Sequence, residues 1–432
     1  MDNNPVSLTK DTDQAIIQQI YPWLIWILGA SFFFYKYVLQ VSPSVMSGDL
    51  MRTFSVTGAG LGNLAACFFY AYLLMQIPVG LILDRWSPRL ITAAAIFICA
   101  LGTFLFAHSH SLLFAGISRA IIGFGAAFAA VSCFKLATLW FPPKRFALVA
   151  GLSMTAAMLG AVGGEAPLAM LVNKFGWREA MVHVAMLGFI LMLLVIMFVR
   201  DKKNIPSLAP QVSQQQAPVF KTLVKILKDK QTWLLSLYSG LAFAPISVFG
   251  GLWGVSFLEQ ANHISATTAA SAVSLIFVGF AIGCPIAGWY SDYIGKRKTI
   301  MLAGTVTALI AILAVLYLPL HSLMTLNLLL FFFGLGASCF FLCFSMLREI
   351  HPLIFAATVL GFMNMFDSIW EAFSEPFIGK LLDLGWRGNL DHGARIFSLH
   401  DYHLALAALP LYFFTALIIL FFINETYCRQ KD

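Results

Sequence analysis

The sequence predicts an all-α integral membrane protein with twelve transmembrane helices in two pseudo-symmetric six-helix bundles. Three observations carry this. Of 432 residues, 60% are hydrophobic and 11% charged, too little polar surface to cover a water-soluble globule of that size. Twelve apolar runs are each long enough to cross ~30 Å of hydrocarbon. Two turns of unrelated sequence recur at intervals of 208 and 209 residues, as two homologous halves would show.

The runs cover about 21–46, 57–83, 90–107, 111–140, 146–173, 179–199, 231–258, 265–291, 299–318, 322–347, 353–380 and 402–424. They divide the chain into a tail (1–20), a first bundle (21–199), a linker (200–230), a second bundle (231–424) and a tail (425–432). The linker is polar, basic and proline-containing, and its VFKTLVKILKDK segment spaces lysines against apolar residues like a surface helix at an anionic leaflet. An even number of spans puts both ends on one side. Eighteen of the 27 Lys and Arg lie on that side, six on the opposite loops and three within spans. The asymmetry predicts cytoplasmic termini.

The net charge of +7 therefore reflects topology, and no nucleic-acid partner is expected. The polar start MDNNPVSLTKDTDQAIIQQ has no short apolar segment with a cleavage site, so the first run is expected to stay in the membrane. Seven cysteines lie mostly in apolar runs without metal-type spacing, which predicts neither a disulfide framework nor a metal site or cofactor. No HExxH or GxSxG occurs, and no enzymatic activity is expected.

Taken in order, the first run carries Lys36 near its midpoint, one turn before Gln40, flanked by Tyr35 and Tyr37, with Pro43 as a kink. A lysine that central does not easily reach either interface. The second run ends in a turn holding Gly80, Asp84, Arg85 and Arg89, and the eighth ends in Gly288, Asp292, Lys296 and Arg297, 208 residues on. FGWRE after the fifth run and LGWRG after the eleventh lie 209 apart, as do Pro167 and Pro376.

The eleventh run contains GFMNMFDSIWEAFSE. As a helix it brings Asn364, Asp367, Glu371 and Glu375 within ~80° of one another. A charge at mid-bilayer costs at least ~2.5 to 3.5 kcal/mol, so this stripe must face protein or water. Asp367 and Glu371 are four residues apart, and their repulsion favours a proton on one of them.

The Gly-Asp-Arg turn, its copy and the paired six-run halves resemble the major facilitator superfamily of secondary transporters. The resemblance covers essentially the whole chain. It implies that Gly80, Asp84, Arg85 and Arg89, with Gly288, Asp292 and Arg297, form gating relays, although Ser87 and Pro88 stand where the family usually has a glycine and a basic residue. SRAIIGFGAA looks like a second family motif, placing Arg119 before Gly123. GAVGG at 160–164 lacks the proline of the antiporter signature, which tells against export. The opening FFFYKYVLQVSPSVM is similar to bacterial carriers of amino acids and related nutrients, some used by intracellular bacteria, and more distantly to lysosomal dipeptide carriers.

In that fold spans 1, 4, 7 and 10 line the cavity, with 5 and 11 beside them, so the intramembrane charges concentrate there. Substrate contacts are expected from Lys36, Tyr37, Gln40, Lys135, Tyr238 and Asn364. Proton coupling is expected from Asp367, Glu371, Glu375, Glu165 and Arg119. Other readings stand beside these: a permanent ion pair for Lys36, snorkelling for Lys135, backbone bonding for Arg119, a salt-bridge network with Lys36 or Lys135 for Asp367 and Glu371, and an outer gate or an ion pair with Arg178 or Arg387 for Glu165 and Glu375. The function expected is proton-coupled import of a small carboxylate-bearing solute (amino acid, small peptide or organic acid) by alternating access. The alternatives are a carboxylate siderophore, or proton-driven export of a metabolite or drug. The partners expected are solute, proton and lipid bilayer, for a monomer in the bacterial inner membrane.

Overall fold

The computed structural model describes the backbone of residues 5–200, 228–319, 322–351 and 356–429. It describes side chains from Ile20 onward within these ranges, except at 77, 81, 84, 85, 143, 144, 146, 147, 356–358 and 391. Eleven helical stretches are long and apolar enough to cross a membrane: Ile20–Phe54, Gly58–Gln76, Pro88–Ala107, Leu112–Trp140, Leu148–Phe175, Trp177–Phe198, Lys230–Asn262, Ala266–Ile294, Lys298–Tyr317, Leu323–Ile350 and Leu399–Phe422. The helix Ala356–Gly385 carries the acidic stripe and is 30 residues long. These are numbered in chain order as spans 1 to 12, with Ala356–Gly385 as span 11. The linker from 201 to 227 lies outside the described residues.

Backbone groups that cannot be left bare in hydrocarbon enforce helices throughout. Their starts are signalled locally. The side chains of Thr57, Ser87, Ser111, Ser265, Ser322 and Ser398 each accept an amide at the first turn of spans 2, 3, 4, 8, 10 and 12, each contributing ~1 kcal/mol. This gives the Ser87-Pro88 departure a local reason: Ser87 caps span 3 and Pro88 opens it.

Several spans are interrupted. Span 1 passes at Val41 into a 3-10 turn, Ser42–Met46, around Pro43. Span 5 breaks at Glu165. Span 7 contains a π-helical segment, Phe249–Trp253, and span 10 a 3-10 segment, Ser338–Phe341. A two-residue strand pair, Leu390–Asp391 with Ala394–Arg395, sits in the loop after span 11.

Spans 1 to 6 pack together, as do 7 to 12, and the halves meet where span 2 lies along span 11 and span 5 against span 8. The side bearing both chain ends is called the terminal side, and the other the far side. At the far side the halves touch backbone to backbone. A Cβ on Gly62 would lie 2.4 Å from the Glu375 carbonyl oxygen, and one on Gly379 2.2 Å from that of Gly58. The amides of Gly58 and Ala59 donate to Asp383 at 2.7 and 2.8 Å, Arg395 donates to the same carboxylate at 3.0 Å, and the Ser47 and Ser256 hydroxyls are 2.7 Å apart. Towards the terminal side the same four spans part: a Cβ on Gly80, Gly151, Gly288 or Gly361 meets nothing within 4 Å among the described residues.

Candidate functional site: a charged cluster between the bundles

Span 1 delivers Lys36 and Gln40 on one face, one turn apart, and span 11 delivers Asp367 and Glu371 with the same spacing. All four are at least 94% buried. Lys36 Nζ donates to Gln40 Oε1, and Gln40 Nε2 donates across the bundles to Glu371 Oε1 at 3.3 Å. One relay thus joins a cation in the first half to a carboxylate in the second. The ammonium also lies 3.8 Å from the ring centre of Tyr37 and 5.0 Å from that of Tyr72. Aromatic faces lower the cost of holding a cation away from water.

Asp367 accepts a 2.7 Å bond from Ser239 of span 7. Asn364 donates at 2.6 Å to Gln76 of span 2, another bond between the halves. A small apolar void of about 10 Å³ lies beside Gln40, lined also by Tyr37, Met158, Phe243, Phe277 and Phe280. On the far face a cavity of about 280 Å³ is bordered by Arg52, Glu259, Gln260 and Arg395, with Ser47, Ser256, Met51 and Trp253 also in its wall.

The remaining intramembrane charges lie around this cluster. Arg119 of span 4 is buried; Nη1 donates to the Leu39 carbonyl at 2.8 Å, while Nε and Nη2 have no hydrogen-bond partner among the described residues. The guanidinium faces the Phe68 ring at 5.2 Å. Glu375, one turn beyond Glu371, is buried with no hydrogen bond to Oε2 among the described residues. Glu165 accepts from Ser44 at 2.6 Å, and its Oε2 is likewise unbonded. Lys135 is half-buried towards the terminal-side end of span 4. The Tyr238 hydroxyl is 2.6 Å from that of Thr305, which sets this residue inside the second bundle.

Of the residues expected at the gates, the side chains of Asp84 and Arg85 lie outside the described residues. Gly80 and Gly288 face open space, and Arg89 donates to the Ile196 carbonyl. Arg297 pairs with Asp292 at 2.6 Å and Glu349 at 2.8 Å, both within the second half. Burial opposes its charge, but these carboxylates hold its pKa above the ordinary guanidinium value. Tyr72, Gln76, Ser239, Asp383 and Arg395 were not singled out in the sequence. The first three are uncharged and common in apolar helices, while Asp383 stands two residues before the repeated Gly-Trp-Arg turn, a signal that could have drawn attention to it.

The Major Facilitator Superfamily profile matches residues 25–388. The chain belongs to that superfamily. It is accordingly a secondary transporter of the membrane and not an enzyme. It is 27% identical over 300 residues to the uncharacterized transporter YybO of Bacillus subtilis (strain 168), a match covering 64% of this chain and 66% of that protein. It is 23% identical over 383 residues to the probable galactarate/D-glucarate transporter GarP of Escherichia coli (strain K12), covering 80% of this chain and 85% of that one. In fold it is similar to a bacterial homolog of the human lysosomal transporter Spinster in an inward-facing and occupied conformation. That likeness has a TM-score of 0.78 at 16% identity, over 94% of this chain and 97% of that one.

Proposed function

We propose that this superfamily member imports a small carboxylate-bearing solute together with protons. The observation that carries the reading is the Lys36–Gln40–Glu371 relay, which spans the two halves with Asp367 one turn away. A solute carboxylate competes with Glu371 for the polar groups that Lys36 and Gln40 present. Protonating Glu371 or Asp367 weakens the acid's claim on them, and so couples proton occupancy to solute occupancy. Because each pairing belongs to a particular arrangement of the halves, changing the pairings biases a two-state equilibrium.

Sugar acids carry the required group and are named for the relative GarP; amino acids, small peptides and carboxylate siderophores carry it too. With cytoplasmic termini, as the Lys and Arg asymmetry favours, the far-side closure makes this the inward-facing arrangement. The protein then works as a monomer in a bacterial inner membrane. Proton-driven export is the competing direction.

The test is uptake by proteoliposomes of a panel of sugar acids, amino acids and short peptides, with and without an inward proton gradient. Gradient-dependent accumulation of one panel member is expected, lost in Lys36→Ala and uncoupled from the gradient in Asp367→Asn. Full gradient-driven transport by both variants would remove these residues from the mechanism.

A further inference from the structure

Two interrupted spans meet in the first bundle, away from the relay. Span 1 leaves its α-helix at Val41, and span 5 breaks at Glu165, whose backbone (φ −99°, ψ −98°) belongs to neither flanking helix. Ser44, in the first interruption, donates to Glu165 Oε1 at 2.6 Å. Both breaks free a carbonyl, because Pro43 brings no N–H to Leu39 and Pro167 none to Gly163. The Leu39 carbonyl is taken by Ser42 and Arg119. That of Gly163, two residues from the carboxylate, has lost its helical donor.

Glu165 is fully buried, its Oε2 has no hydrogen-bond partner, and Ser44 is its polar side-chain contact among the described residues. An ionised carboxylate without a countercharge is too costly to keep in such a place, so it holds either a proton or a cation. The donors shown together are both hard oxygens, a carboxylate and a hydroxyl. Those suit an alkali or alkaline-earth ion rather than a transition metal. A single carboxylate balances one positive charge and would leave a divalent ion half-compensated in the bilayer. Carbonyls at interrupted membrane helices are a recurring Na⁺ environment.

We infer that Glu165 and Ser44 hold one Na⁺ at the junction of spans 1 and 5, where the breaks in both helices bring them together. The site belongs to the first half alone. At the interval of 209 residues Ser374 replaces Glu165, and span 11 continues unbroken through Pro376. Span 5 also packs against span 8 of the other half, so an ion here stabilises a part of the bundle that the transport cycle must move.

The full chain in detergent, melted at fixed pH while Na⁺ replaces choline at constant ionic strength, should show a saturable rise in Tm that K⁺ does not reproduce. Glu165→Gln should lose the rise, and Ser44→Ala should need about tenfold more Na⁺, the loss expected for one ligand. Lys36→Ala should keep it, which separates this site from the relay: the Na⁺ shift survives if the carboxylate–proton reading fails, and the reverse also holds. If Glu165→Gln does not fold, the Ser44→Ala titration carries the test. Equal melting in Na⁺, K⁺ and choline overturns the site. A Tm that answers to pH but not to Na⁺ overturns it as well and gives Glu165 a proton.

Discussion

The two ends of the interface between the halves use one residue type in opposite ways. At the far side Gly58, Gly62 and Gly379 let span 2 and span 11 touch through their backbones, and Asp383 accepts the first amides of span 2. At the terminal side Gly80, Gly151, Gly288 and Gly361 lie on the spans that face across the halves and, among the described residues, touch nothing across the gap. A glycine with no neighbour gains nothing from its size in this arrangement. The difference indicates that the terminal-side glycines serve the other arrangement, in which that end closes and the far side parts.

The largest break in this contrast should come from Gly62→Ala. Its Cβ would overlap the Glu375 backbone, which cannot swing aside as a side chain can, so far-side closure should weaken by ~2 to 3 kcal/mol. A single cysteine placed at Ser42, which is buried in the interrupted segment of span 1, should then be alkylated from the far side at least ~10-fold faster, and uptake should collapse. Unchanged alkylation would mean that the glycine contact is not the seal.

Asp383→Asn tests the same end more gently. An amide keeps the shape of the carboxylate but loses the charge facing two helix-terminal N–H groups and Arg395, a cost of ~1 to 2 kcal/mol. Alkylation at position 42 should rise by less than in the glycine variant. Glu349→Gln, on the terminal side, removes one partner of Arg297 within a single half. It should lower Tm by an amount corresponding to ~1 kcal/mol while leaving far-side alkylation unchanged.

Gly80→Ala is the smallest and sharpest probe. It should leave Tm unchanged or raise it, because alanine favours the helix by up to ~1 kcal/mol and meets no obstacle among the described residues. A fall in uptake without a fall in Tm would show that this glycine is needed for closing the terminal side. Full uptake would remove it from the cycle.

Hydrocarbon leaves few ways to satisfy a backbone, which is why the spans and the duplicated turns could be read from sequence. The stripe on span 11 was legible because carboxylates among apolar residues stand out at helical spacing. Its partners were not. Gln76 lies 288 residues from Asn364, and Ser239 is one serine among many in apolar helices. Helix breaks were only partly visible: Pro43 marks one, whereas Pro167 follows a break and Pro376, at the equivalent place, sits inside an unbroken helix. Proline permits an interruption, and packing decides whether it occurs. The far-side latch escaped notice because its acceptor and its donors come from loops and helix ends far apart in the chain.

Main chain resting on main chain at Gly62 leaves no side chain to compress, so the contact can act as a stiff pivot. Eighteen residues of continuous helix separate it from Gly80, a lever of ~27 Å. A tilt of only ~10° about that pivot swings the distal tip by ~5 Å, wide enough to admit water and a small molecule. A rocking carrier built this way needs only slight rotation at its fulcrum to open a passage at the other end.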